Sequence, residues 1–426
     1  MGMKPSLFHG LCHAALMLAA CAIYAPAPSA AEQPTLSLGL MGWWGPPPTE
    51  VHVNAYRGAG FNLLPIPGDP EYQEGLDRAW RAGLSVVFEQ PDGADAPGPW
   101  SGMADEHPHA AGWALRGAAS HANTDELVSM VRAIRARHPQ LFTLVPIVNP
   151  STSPESRETL SDLIQAGMNA LLLQSFYMTE DEGDNEERFY EDLLLAKRVA
   201  ELSGAPLWGM VQVTEHGPYR RASESDVRVQ AYTYLAAGAK GLAFYTYWGP
   251  TQKERGASDV WADWGEAMID PDAMRYRYGY EVVRGLTPEL KALQEHLMPL
   301  QAKGVYLVND APPGAPTLTR GAGPIAAVQA ERALVSFFEA PGGTPWAMVV
   351  NRRHGALRSA AGRTSTVRVQ AAAHIERVDM VDPETGDLRE VELDGANAFF
   401  ETIPGGTGRL FRFTPSEEND SENADP

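Results

Sequence analysis

The sequence predicts a (β/α)8 (TIM) barrel followed by a C-terminal all-β sandwich. Three observations carry that expectation. From residue 36 to about residue 300, short β-rich runs alternate eight times with helical patterns. Glycines recur where a helix should give way to a strand, at Gly60, Gly83, Gly167, Gly238 and Gly241, and a helix end there needs a left-handed stop. After Leu300 the chain turns into short strand-like runs separated by Pro and Gly turns such as Pro312-Pro313-Gly314 and Pro404-Gly405-Gly406.

Taken in order, Leu36 to Leu40 reads as a first strand, ending at Met41-Gly42-Trp43-Trp44. Thr49 caps a helix through Gly58, and Phe61 to Ile66 is the second strand. Glu71 to Ala82 is helical, with Leu76 and Trp80 one turn apart, and Leu84 to Glu89 is the third strand. Gly112 to Arg116 reads as the fourth. Asn123 or Thr124 then caps a helix with Leu127, Met130, Val131 and Ile134 on one face. The later strands are Leu141 to Val148, Ala170 to Phe176, Leu207 to Val213 and Gly241 to Tyr247. Helices follow at Glu155 to Ala166, Glu187 to Leu202, Glu224 to Ala237 and Tyr276 to Leu300. An open doubly wound sheet is the rival, but no glycine-rich loop follows the first strand.

These runs divide the chain into a leader (1–31), a barrel (32–302), a sandwich (303–414) and an acidic tail (415–426) expected to be disordered. The leader has one charge, Lys4, then an apolar run centred on Leu16 to Ala20, then Ser29-Ala30-Ala31 as a small-residue cleavage point. That is an export signal, too short and interrupted to span a bilayer. Leu18-Ala19-Ala20-Cys21 also reads as a lipoprotein box, which would anchor the exported protein at the outer membrane through Cys21. The two readings, periplasmic or extracellular release and lipid anchoring, stand side by side. Both cysteines, Cys12 and Cys21, fall in the leader, so the exported protein would carry no disulfide. The net charge of −20 argues against a nucleic-acid partner, since an acidic surface repels phosphate.

In such a barrel, chemistry sits at the C-terminal ends of the strands. This selects Trp43 and Trp44 after the first strand, and Glu89 and Asp92 after the third. It selects Arg116 after the fourth, with Trp113 deeper in that strand, and Asn149 after the fifth. It adds Gln174, Tyr177 and Glu180 after the sixth, Gln212 and Glu215 with His216 after the seventh, and Tyr245, Tyr247 and Trp248 after the eighth. Aromatic faces beside carboxylates and amides suit sugar rings, which offer apolar C–H faces and many hydroxyls. The partner expected from this is a carbohydrate. Asp105-Glu106, His107 and His109 precede the fourth strand but match no strong metal-ligand spacing. No cofactor or metal is expected, and no Gly-x-Ser-x-Gly elbow occurs.

The stretch from Phe61 to Asn309 resembles bacterial secreted barrel glycoside hydrolases of the retaining clan, of the β-galactosidase-like and agarase-like kind. Arg221 to Trp248 looks like that family's seventh helix and eighth strand. Met268 to Leu300 is similar to its last helix, and Val378 to Phe413 resembles its sandwich. The family carries Asp-Glu-Pro after a Trp at the end of the fourth strand, the Glu being the acid/base. Here Trp113-Ala114-Leu115-Arg116 is followed by Gly117-Ala118-Ala119, so Ala118 stands where that Glu is expected. The resemblance implies Glu215 as nucleophile; the displaced acid would come from Glu89, from Glu180, or from Asp105-Glu106 in the loop before the fourth strand. Two functions follow. One is a glycoside hydrolase with a rearranged acid. The other is a catalytically silent barrel that binds carbohydrate at the cell envelope.

Overall fold

The computed structural model describes residues 37–67, 73–90, 104, 107–116, 119, 121–179, 185–257, 263–319 and 323–416. The leader, Asp92, Asp105 and Glu106, Gly117 and Ala118, Glu180 and the tail beyond residue 416 lie outside the described residues. The described residues from Ser37 onward belong to one compact unit.

Eight parallel strands close into a barrel in sequence order: β1 (Gly39–Gly42), β2 (Leu63–Pro67), β3 (Ser85–Gln90), β4 (Ala110–Leu115), β5 (Phe142–Val148), β6 (Ala170–Gln174), β7 (Leu207–Gln212) and β8 (Gly241–Tyr245). Around them lie α1 (Glu50–Gly58), α2 (Gln73–Arg81), α3 (Thr124–Arg137), α4 (Pro154–Gln165), α5 (Glu186–Ser203), α6 (Glu224–Ala236), a short α7 (Gln252–Ala257) and α8 (Tyr278–Leu297). Local chemistry sets the helix starts. The Thr49 side chain accepts from the His52 N–H, Ser153 precedes Pro154 at the first helical position, and Ser223 with Asp226 forms a capping box. Gly60, Gly83, Gly167 and Gly238 take positive φ as expected.

Gly241 does not. It lies inside β8, and its role is spatial: a Cβ on Gly241 or on Gly39 would overlap the Trp208 ring, which fills the bottom of the barrel. The register makes the inward set consistent round the barrel, pairing Gly39 with Gly241, Trp208 with Gly241 and Gln212 with Tyr245. Above Trp208 the interior is apolar, with Met41, Leu63, Val87, Leu144, Leu172 and Met210. Alternation then brings Trp43, Glu89, Gln174, Gln212 and Tyr245 inward at the C-terminal ends, where the site forms.

The chain leaves β8 through a hairpin, β9 (Ile269–Asp270) with β10 (Arg275–Tyr276), so the last helix starts at Tyr278 rather than Tyr276. The sandwich follows. A six-stranded antiparallel sheet has the order β11 (Gln301–Val308), β13 (Ala333–Glu339), β14 (Pro345–Asn351), β19 (Gly408–Pro415), β16 (Ile375–Val381), β17 (Leu388–Val391). A three-stranded sheet has the order β12 (Ile325–Gln329), β15 (Ser365–Ala371), β18 (Ala398–Ile403). Sequence reading passed over β18, whose adjacent Phe399 and Phe400 hide the period of two; Phe399 is buried and Phe400 is exposed.

The six-stranded sheet is covered on both faces. Val335, Phe337, Val349 and Phe411 face the small sheet, while Leu334, Phe338, Met348 and Leu410 join the core of the barrel's helix layer. Between sheet and barrel lies α6, whose residues from Ser225 to Ala236 are all buried. Its polar residues are therefore partnered: Arg228 forks onto Glu289 at 2.7 and 2.9 Å, and Gln230 accepts from the Gln212 N–H at 2.9 Å. Gly406 (φ 70°) brings the Pro404-Gly405-Gly406 turn so close to α6 that a side chain there would strike the Ser225 carbonyl.

Candidate functional site

The mouth of the barrel carries one buried carboxyl with an unusual setting. Glu89, near the end of β3, is fully buried. Its Oε2 accepts from Arg116 Nε at 3.0 Å and from Nη2, while Oε1 has no hydrogen-bond partner among the described residues. Arg116 follows β4, next to β3 in the barrel, and its side chain is 31% exposed, so it joins the buried carboxyl to the open mouth. Burial pushes the Glu89 carboxyl above the usual carboxylate range, and the Arg116 charge and hydrogen bonds only partly oppose it. A carboxyl whose pKa is raised keeps its proton to higher pH than an exposed one, and the unpartnered oxygen is the one free to hold it.

The same end of the barrel carries a continuous set of aromatic rings. Trp44, at φ 59° just after β1, stacks on Trp264 at 4.9 Å and 18° and lies 5.6 Å from Tyr245. Tyr245 in turn lies 5.2 Å from Phe176 and 5.0 Å from His216. Tyr219 closes the set against Phe176 and His216 at 5.5 and 5.1 Å. The His216 Nδ1 lies 2.9 Å from the Thr214 carbonyl. A carbonyl can only accept, so Nδ1 carries the hydrogen and Nε2 keeps a lone pair. Burial lowers the pKa of this histidine, which favours the neutral ring. Phe176, Tyr245 and Trp264 are nearly buried, whereas Trp44, Tyr219 and His216 keep partial exposure.

Of the residues that sequence selected, Trp43, Trp44, Glu89, Arg116, Gln174, Gln212 and Tyr245 come together at this mouth. Gln174 is half-buried. Gln212 is buried and donates through Nε2 to the Arg220 carbonyl at 2.7 Å, with its Oε1 unpartnered among the described residues. Glu215 lies three residues past β7, on the opposite side of the barrel from β3, packed so closely on Gly265 that an added Cβ there would be 2.8 Å from its own Cβ.

Others belong elsewhere. Trp113 is buried in the helix layer against Phe88 (5.2 Å) and His138 (5.9 Å), because it has outward parity in β4. Tyr247 faces the same layer, 4.7 Å from Tyr56. Tyr177 packs on Phe189 of α5 at 4.5 Å. Asn149 (φ 42°) directly follows β5, where its carbonyl accepts from Thr152. Trp248 stands outside the ring set, 5.1 Å from His52. Asp92 and Glu180 lie outside the described residues. Sequence reading missed Trp264 and Tyr219, which sit in loops without periodicity. Among the described residues no three His, Cys, Asp or Glu side chains gather as a metal site, and no helix is long and apolar enough to cross a membrane.

No family model matches this chain, and no curated protein matches it in sequence. Solved structures with which it aligns include a noncanonic maltogenic alpha-amylase of Thermotoga neapolitana, at 9% identity and TM-score 0.45 over 86% of this chain and 93% of that one. A family 5 mannosidase of Rhizomucor miehei aligns at 11% identity and TM-score 0.43, over 63% and 96%. A family 51 alpha-L-arabinofuranosidase of Bifidobacterium longum aligns at 10% identity and TM-score 0.41, over 89% and 96%. These likenesses are distant.

Proposed function

We propose that this chain is an exported glycoside-hydrolase-like protein that takes a poly- or oligosaccharide at the C-terminal mouth of its barrel. The observation that supports this most is Glu89, a fully buried carboxyl with a raised pKa and one oxygen unpartnered among the described residues, at the same end of the barrel as an aromatic set. Glycosidic bonds leave as alcohols and need a proton donor, and Glu89 Oε1 is the group suited to that work. In this reading Ala118 leaves the customary acid position empty of a carboxyl, and Glu89 takes over one strand earlier. Glu215, across the barrel on the β7 side, supplies the second carboxyl. The half-exposed face of Trp44 stacks a sugar ring, and Gln174 binds its hydroxyls.

The fork of Arg116 onto Glu89 favours a second reading. A guanidinium this close stabilises the ionised carboxylate, and a carboxylate held ionised cannot donate. The protein would then bind carbohydrate without cleaving it. A panel of polysaccharides and aryl glycosides separates the readings, assayed in parallel for reducing ends and for binding. Turnover supports the first, binding without turnover the second, and neither binding nor turnover refutes both. In either case Trp44→Ala weakens binding by about three- to ten-fold, the worth of one aromatic contact.

A further inference from the structure

The rim of the mouth at the seam of β8 and β1 carries aromatic side chains that the site above does not use. Trp248 is half-buried, and its backbone N–H donates to the Trp44 carbonyl at 3.1 Å. The two main chains therefore run side by side here, about one strand spacing (~4.8 Å) apart, with the Trp248 ring 5.1 Å from His52 of α1. Ile269 of β9 bridges to Trp248 and pairs with Tyr276 of β10, so the hairpin continues the same surface outward. The Tyr276 ring stacks on Tyr280 at 4.3 Å and 15°, and Tyr280 is itself tied to α1, its hydroxyl donating to the Ala55 carbonyl at 2.8 Å. One face of Tyr276 is thus held fixed, yet the residue is 55% exposed. Exposed apolar side chains of the hairpin and the start of α1, Met274 and Val51, lie in the same two segments.

We propose that this rim, with Trp248 and Tyr276 as its rings, is an outer subsite of the same cleft, and that the ligand is a polysaccharide chain several sugars long. This rests on the carbohydrate reading of the mouth. The occupant follows from continuity and chemistry. Trp44 and Trp248 are joined main chain to main chain, so a ligand leaving the Trp44 stack over this seam meets Trp248 and then Tyr276. A ring braced on one face and open on the other is preorganised for stacking and loses little entropy when a sugar lands on it. The polar tips of Tyr276, Trp248 and His52 can serve hydroxyls, which a purely apolar partner would leave unpaired.

The test is calorimetric titration of the full chain with cello-, xylo-, manno- and agaro-oligosaccharides, from disaccharide to hexasaccharide. The affinity for the recognised sugar should rise with chain length. Tyr276→Ala should weaken the hexasaccharide about three- to ten-fold and leave the disaccharide unchanged, while Tyr276→Phe keeps the wild-type profile. Equal affinity for short and long chains, or a length dependence that Tyr276→Ala leaves intact, overturns the outer subsite alone. Failure of the wild-type protein to bind any of these sugars at any length overturns the reading of the mouth itself.

Discussion

At Glu89 two opposing influences meet on one side chain. Burial disfavours its charge, and Arg116 favours it, with burial the larger. Replacing Arg116 by Met removes the opposing influence. The pKa of Glu89 should then climb further, and a reaction that needs the protonated carboxyl should persist to higher pH. The expected result is an alkaline limb of kcat/KM displaced upward by about one to three pH units, the usual effect of a neighbouring opposite charge. An unmoved or lowered limb would show that Glu89 is not the titrating acid. Sequence pointed to Glu89 by position alone, as an acid near the end of a barrel strand. It could not show the bare Oε1, which depends on inward parity and on a neighbour 27 residues away. Trp113 shows the converse. Its place in β4 was legible, but strand parity, read from one sequence, did not decide between mouth and helix layer, and the ring went outward.

The elements were legible where the hydrophobic period was clear, as in α3, or where a glycine stop followed the helix, as Gly167 follows α4. They were obscure where tertiary packing overrode local pattern. Gly241 was expected to stop a helix, whereas it makes room for Trp208 across the barrel. Gly241→Ala should therefore act by overpacking and lower stability by roughly 1–3 kcal/mol in thermal or denaturant unfolding. Combined with Trp208→Leu, the same change should cost much less, since the clashing ring is gone. Equal cost in both backgrounds would place the defect in the backbone of β8 instead. Helix α6 is a second case. Its apolar and polar residues show little separation because both its sides are covered, one by β7 and the other by β13 and β14.

For the whole molecule, the joint between barrel and sandwich is electrostatic as well as apolar. Glu186, at the start of α5, meets Arg352 at 2.7 Å, Arg332 at 3.0 Å and His354 Nε2 at 3.4 Å, all three from the sandwich. His354 Nδ1 reaches Asp226 of α6 at 2.8 Å, and Arg220 pairs with the same carboxylate. Burial by itself would raise the Glu186 pKa, but the His354 hydrogen bond and the two guanidiniums outweigh it and bring the pKa down to about 2. The folded value lies below the unfolded one of about 4.3, so this stabilisation is full above that pH and is lost as pH falls toward 2. The shift corresponds to roughly 3 kcal/mol at neutral pH. Glu186→Gln should lower neutral-pH stability and flatten the fall between about pH 4.3 and 2 in pH-dependent denaturant unfolding, whereas an unchanged acid profile would exclude Glu186 as its source. The central claim, that the buried Glu89 gives its proton to a leaving sugar, is tested most directly by turnover of Glu89→Gln on two substrates. One is an unactivated oligosaccharide, and the other is the matching dinitrophenyl glycoside, whose leaving group needs no proton. The account predicts a loss of about 10²–10⁴-fold on the first and a small change on the second; equal loss on both, or loss on neither, would contradict it.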